Sequence, residues 1–322
     1  MGRPRRIQSE DRIYLVSNRC IDGRAFFRPG PKVNEIVERS LVWAVDNHEI
    51  DVFAYVFELN RFEMILGAPR MNLQHFMRDF QSEVATKLKA LHGRTERRFF
   101  EGRYDSEPFA DAGPLVDEIA RVVCRPCELG LVDHPRDWPG ISSWSQHVGN
   151  NTRVVRRQCR QEYWRLRQKY RELDAAEAEE LATGTYTMQL QRPFDMEVGD
   201  ARGLICAEID ALASTYGERR DKPPLGVETV ESMPANQPPS RVVRRRRRRV
   251  CIASGEESRA RFVAHTRNAN LWYEWGRRRL RLGMPNPPFP KGMIPLHEVD
   301  AVGSRARAGP GERRASRNQR VA

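Results

Sequence analysis

Residues 50–66 limit what this chain can fold into more than any other stretch. They read I-D-V-F-A-Y-V-F-E-L-N-R-F-E-M-I-L, apolar and rich in β-branched and aromatic side chains, with one turn residue at Asn60. That composition favours strands, and an Asn between two such runs marks a turn. Residues 50–59 and 61–66 are therefore predicted as the two strands of a hairpin, which requires an antiparallel sheet with at least one buried face. Arg61 and Glu63 stand two apart in the second strand, so the pleat places both charges on one face. A solvent-facing ion pair is the plain reading of them; a site on that face is the other.

The flanking pattern extends the sheet. Residues 12–20, R-I-Y-L-V-S-N-R-C, read as a strand followed by the turn I-D-G-R. Pro31 suits the first position of a helix, along which Val33, Ile36, Val37, Leu41, Ala44 and Val45 recur at helical spacing. Asn72 is placed to cap a second helix with the stripe Leu73, Phe76, Met77, Phe80, Val84, Leu88 and Leu91, and Gly93 ends it. Residues 99–109 read as a further strand and residues 111–131 as a helix interrupted at Pro126. The order β-α-β-β-α-β-α predicts an α+β, ferredoxin-like antiparallel sheet with packed helices. It also puts the hairpin near the middle of that sheet.

Charge separates the two halves. The net charge of +12 over 322 residues points to an anionic partner, most often nucleic acid. Residues 1–150 carry about 21 Lys and Arg against 22 Asp and Glu, leaving 34 against 21 for the remainder. The whole basic excess therefore lies in a C-terminal extension, predicted as basic and helical. Residues 151–173 read as a helix in which Arg153, Arg156, Arg157 and Arg160 mix with Tyr163, Trp164 and Tyr170. Residues 204–212 read as another helix, and residues 217–257 as a linker carrying Arg244, Arg245, Arg246, Arg247, Arg248 and Arg249 in unbroken succession. Residues 258–300 bring a last helix with Trp272, Trp275, Arg277, Arg278 and Arg279, and residues 301–322 a disordered tail. These arginines are the candidate nucleic-acid-binding residues: they can neutralise phosphates, and the aromatics among them can stack on unpaired bases. Aromatic core residues with arginines lying over them remain the other reading.

Other classes are disfavoured. No apolar segment follows the basic N-terminus, and no stretch is long enough to span a membrane, so neither signal peptide nor membrane span is expected. Six scattered cysteines suit a reducing cytoplasm better than a disulfide framework. Cys124 and Cys127 form a lone C-R-P-C. With no second C-x-x-C to complete a tetrahedral set, structural thiols are expected there rather than zinc.

Several motifs in order carry a family resemblance: V-S-N-R-C, F-A-Y-V-F-E-L-N-R-F-E-M-I-L, N-L-Q-H-F-M, F-F-E-G-R-Y and G-L-V-D-H-P-R-D-W-P-G-I-S-S-W. Residues 11–145 resemble the single-tyrosine HUH transposases, especially the REP-associated tyrosine transposase branch. The resemblance implies that residues 1–150 are an HUH-fold domain, residues 151–216 a basic extension, and DNA the partner, single-stranded or hairpin. It also implies cleavage and rejoining of single-stranded DNA, with two His on a central strand holding a divalent cation and a helix Tyr attacking the phosphate.

This chain departs from that pattern at each of those positions. Asn60, Arg61, Phe62 and Glu63 stand where the family has Asn-His-hydrophobic-His, and the Tyr position, counted back from Gly130, falls on Arg121 without a gap or on Val122 with one. Arg offers donors and no lone pair, so it cannot ligate a metal. The expectation is a degenerate active site with no catalytic residue, no metal and no cofactor, on a protein that still binds DNA and could form a homodimer. An active transposase with an altered site using Mg or Mn is the alternative. An RNA-binding or protein-interaction module on the same fold is another.

Overall fold

The computed structural model describes residues 7–95, 98–149, 152–193, 197–238, 249–284 and 287–293. Strand β1 (Ile13–Arg19) leads to helix α1 (Pro31–His48), the hairpin β2 (Asp51–Phe57) and β3 (Arg61–Gly67), and helix α2 (Leu73–Leu91). Strand β4 (Asp105–Pro108) follows, then helices α3 (Leu115–Val123), α4 (Arg125–Glu128) and α5 (Trp144–Gly149). The four strands form one antiparallel sheet in the order β2-β3-β1-β4. That is the ferredoxin-like, α+β arrangement expected from the element order.

Position within the sheet differs in one respect from the sequence reading. Of the two hairpin strands only β3 is interior; β2 lies at the edge of the four strands. The strand predicted over residues 99–109 shrinks to β4, with Phe100 joining Cys20 only through an isolated bridge. The helix predicted over residues 111–131 breaks at Cys124, and Pro126 then sits in the first turn of α4, where a missing N–H costs least. Asn72 occupies the capping position of α2, but its side chain donates to the His48 carbonyl at 2.7 Å instead of capping. Gly93 follows the end of α2 with φ +61°, a left-handed conformation glycine adopts without strain.

Strand periodicity sorts the core onto two faces. Tyr14, Val16, Phe62, Met64 and Leu66 point to α1 and α2, meeting Leu41, Phe76, Phe80 and Val84. Leu15, Val56 and Ile65 point the other way and meet Leu115, Ile119, Val122 and Val123 of α3. Arg61 and Glu63 share the parity of Ile65, so they lie on this second face.

Beyond α5 the chain forms β5 (Arg153–Gln158), α6 (Arg160–Lys169), α7 (Ala175–Ala182), β6 (Thr183–Met188), α8 (Val198–Glu218), α9 (Val227–Ser232) and α10 (Glu256–Arg281). The single helix expected over residues 151–173 is therefore a strand and a shorter helix. The adjacent β-branched Val154 and Val155 favour the strand, and β6 supplies an antiparallel partner along its whole length. Within residues 217–257, read as linker, Val230 is fully buried and Ala25 N–H donates to the Gln237 carbonyl at 3.0 Å. Ile252 bridges Phe109 at the β4 edge. Arg244–Arg248 and residues 301–322 lie outside the described residues.

Two compact units result, one of Glu10–Phe262 and a smaller one of Met1–Ser9 with Val263–Ala322. In the smaller unit Ala269 and Tyr273 of α10 pack with Met293, Phe289 and Ile7. No helix among the described residues is long and apolar enough to cross a membrane.

Candidate functional site

The second sheet face carries a buried charge network centred on Glu63, which is 1% exposed. Arg61 Nη2 lies 2.9 Å from Glu63 Oε1 and also donates to Ser17 Oγ at 3.0 Å. From α3, Arg121 Nη1 donates to Glu63 Oε2 at 3.2 Å, and its Nε to Glu118 Oε2 at 2.7 Å. From α4, Arg125 Nε donates to Glu58 Oε1 at 3.0 Å, stands 3.8 Å from Glu63 Oε1, and its Nη1 reaches Glu128 Oε2 at 2.7 Å. Arg249 closes the far end, with Nε donating to Glu107 Oε2 at 2.9 Å and Nη1 to Glu118.

Glu63 and Arg121, 58 positions apart in sequence, are thus in direct contact, and Arg61 joins them through Glu63. The strand pleat delivers Arg61 and Glu63, and the i, i+3 spacing of Glu118 and Arg121 delivers both onto one side of α3. Arg125 and Glu58 were not anticipated. Glu58 precedes the hairpin turn, whose Glu58 N–H donates to the Arg61 carbonyl at 2.8 Å, and the turn folds its carboxylate back toward the face.

Electrostatics favour the fully ionised arrangement. Burial pushes the Glu63 carboxyl up, but the guanidiniums of Arg125, Arg61 and Arg121 together outweigh it and hold it at about 2. Glu118 is also lowered: burial opposes the shift, and the hydrogen bond from Arg249 and the charge of Arg121 prevail. The matching rises at Arg121 and Arg125 come against burial, from Glu63 and Glu58 respectively as the foremost carboxylates. Some polar atoms within the network are buried without a hydrogen-bond partner, namely Glu58 Oε2, Arg61 Nε, Arg121 Nη2 and Arg249 Nη2.

These residues do not suit a divalent cation. Both oxygens of Glu63 are already engaged by guanidiniums, and a cation placed there would face Arg61, Arg121 and Arg125. Among the described residues no group of His, Cys, Asp and Glu could hold a metal ion. Cys124 and Cys127 are free thiols pushed upward by burial, Cys127 to about 12. Tyr104 is buried. A tyrosine that the motif reading passed over, Tyr216 of α8, feels the charges of Glu128 and Arg121. Burial raises its phenol to about 12, which keeps it protonated at neutral pH.

Helix α8 covers the outer side of α3, burying Ile205, Ile209 and Ala213 with Ile119 and Val123. Cys124 Sγ donates to the Ile209 carbonyl at 3.4 Å. Chain from the C-terminal half therefore packs on the α3 helix that carries Glu118 and Arg121.

The predicted nucleic-acid-binding arginines fall into different settings. On β5, Arg153 and Arg157 alternate with buried Val155. Arg153 Nη1 pairs with Glu38 at 3.0 Å; Arg157 Nη2 pairs with Glu83 at 2.8 Å and its guanidinium lies 4.0 Å over the Trp43 ring. Arg156 pairs with exposed Glu180 at 2.6 Å, whereas Arg160 on α6 is exposed. On α10, Arg277 lies 3.9 Å from Glu274, Arg278 is exposed, and Arg279 stands 4.0 Å over Trp275. Trp164 and Trp272 are 53% and 57% exposed, so neither is a core residue.

No family model matches the chain, and no curated protein matches it. A solved structure of a REP-associated tyrosine transposase bound to a REP hairpin is similar at a TM-score of 0.40 and 13% identity, over 46% of this chain and 86% of that one. A likeness at that level carries neither fold nor function across.

Proposed function

We propose that this chain is a DNA-binding relative of the single-tyrosine HUH transposases that holds single-stranded or hairpin DNA without cutting it. One observation carries the reading: Arg61, Glu63 and Arg121, at the motif positions of the metal-binding His pair and the nucleophilic Tyr, are joined in one buried ion-pair network. Cleavage of the kind the resemblance implies needs a Lewis acid on the phosphate and an attacking phenolate. Guanidiniums supply neither, and here they are already paired with carboxylates. DNA recognition requires only basic and polar groups, and these the chain retains in its second half. Arg160, Arg244–Arg248 and Arg277–Arg279 are the residues from which such contacts would first be drawn, since Arg153, Arg156, Arg157 and Arg249 already pair with carboxylates. Free thiols at all six cysteines suit a cytoplasmic setting.

The test is incubation of the full chain with labelled single-stranded hairpin DNA and Mg or Mn, followed by native and denaturing gels. Retention on the native gel with no covalent product is the expected result. A phosphotyrosyl peptide from any tyrosine, Tyr216 included, would show an active transposase instead. Failure to retain DNA would remove the DNA-binding reading altogether.

A further inference from the structure

Helix α6 lies outside residues 11–145, which carry the family resemblance, and it has no buried residue. Its half-exposed residues, Glu162, Tyr163 and Leu166, mark the side nearer the rest of the chain. Arg160, Trp164 and Arg167 follow at spacings of four and three, so they form one outward stripe. At helical rise that stripe runs about 10 Å. Trp164 is 53% exposed, and Tyr163 packs against it edge-on with centroids 5.2 Å apart, which orients the indole. Tyr170, 47% exposed, stands just past the helix end with Lys169 5.0 Å over its ring.

The charges on this stripe are less committed than those on β5. Among the described residues Arg160 and Arg171 have no carboxylate partner. Arg167 gives one N–H to the Leu173 carbonyl at 2.5 Å, and Arg165, off the stripe, pairs with Glu162 at 2.6 Å. We propose that the outer stripe of α6, Arg160, Trp164 and Arg167 with Tyr170 beyond it, is a contact for single-stranded DNA in which an unpaired base stacks on the Trp164 indole.

The inference rests on the DNA-binding reading above and deepens it by naming one contact surface, on α6. Charge complementarity selects a polyanion. The indole between two guanidiniums selects one that also presents aromatic faces, which an unpaired strand does and a blunt duplex does not. An acidic peptide would meet the arginines but leave the indole in water.

Fluorescence anisotropy of the full chain on labelled oligo-dT, and on a blunt duplex of equal length, tests this across a salt series. Trp164→Ala is expected to weaken oligo-dT binding roughly 5- to 150-fold, the range for losing one stacked base, with the salt slope and duplex affinity retained. Trp164→Phe should keep most of the affinity. Arg160→Gln with Arg167→Gln should lower the salt slope by about 0.7 for each phosphate no longer neutralised. Melting temperatures should stay within a degree or two of the parent, because α6 buries no side chain. Oligo-dT affinity of Trp164→Ala within twofold of the parent would overturn the inference, as would equal losses on oligo-dT and duplex. In either case binding by the unmodified chain leaves the broader DNA reading standing. No binding of either DNA by the unmodified chain removes both.

Discussion

Arginines meet opposite fates in two regions of this protein. Around Glu63, the guanidiniums of Arg61, Arg121 and Arg125 converge on carboxylates from the hairpin and α3 in a buried setting. On α6 and just past its end, Arg160 and Arg171 face solvent with no carboxylate partner among the described residues. Strand β5 is intermediate, since Arg153 and Arg157 reach back to Glu38 and Glu83. What separates these arginines is the presence of acids within reach. A basic excess therefore does not by itself locate a contact surface, because part of it is taken up by carboxylates within the fold.

The largest effect should come from emptying the centre of the network. Glu63→Ala leaves three guanidiniums around a missing carboxylate and should cost about 3–5 kcal/mol in chemical denaturation. Adding Arg61→Ala should not restore the loss, because Arg121 and Arg125 still face the vacated position. A cost below about 1 kcal/mol would mean that water already screens the network.

Acid should distinguish the network from a buried neutral group. Burial pushes the His147 imidazole from 6.5 down to about 4, so the unfolded chain takes up a proton that the folded one refuses between those values. Stability is complete above pH 6.5 and should fall by roughly 3 kcal/mol as the pH drops to 4, at 1.36 kcal/mol per pKa unit. His147→Gln should flatten denaturation midpoints across that window. Glu63 acts lower: its contribution is present above 4.5 and is lost only as pH falls toward 2.

Arg249 should behave unlike its neighbours in the run. Arg249→Ser removes the cation from Glu107 and Glu118 and should cost about 1.5–3 kcal/mol, the range for hydrogen bonds to charged groups. Arg157→Ala should cost about 1 kcal/mol through its contacts with Trp43 and Glu83, and leave the DNA salt slope unchanged. Replacing Arg244–Arg248 with Ser should move stability by less than about 0.5 kcal/mol. That change should lower the salt slope by about 0.7 for every phosphate the run neutralises. A stability loss matching that of Arg249→Ser would place the whole run with the paired arginines.

Local pattern was sufficient for the first five strands and helices of the fold, β1 to α2. The apolar, β-branched and aromatic runs of residues 50–66 about Asn60 and the helical stripes from Val33 and Leu73 specify β2, β3, α1 and α2, because composition, period and turn chemistry are properties of neighbouring residues. They also put Arg61 and Glu63 on one face. In the second half the same reasoning failed: R-V-V-R-R-Q became a strand because β6, 25 or more residues later, offered it a ladder. Chain separated by such distances leaves no periodic mark.

The site divides along the same line. Sequence by itself determined that Arg61, Glu63 and Arg121 stand at the positions where the resemblance implies a His pair and a Tyr, and residue identity alone decides whether a lone pair or a phenol is present there. It also determined that the basic excess lies beyond residue 150. Only tertiary structure decided which charges meet. It brought Arg125 and Glu58 to Glu63, tied Arg249 to Glu118, laid α8 over α3 and left Trp164 in solvent. Ion pairing depends on distances of a few ångströms between residues far apart along the chain, and burial depends on which elements happen to cover one another; neither quantity is a property of any short stretch.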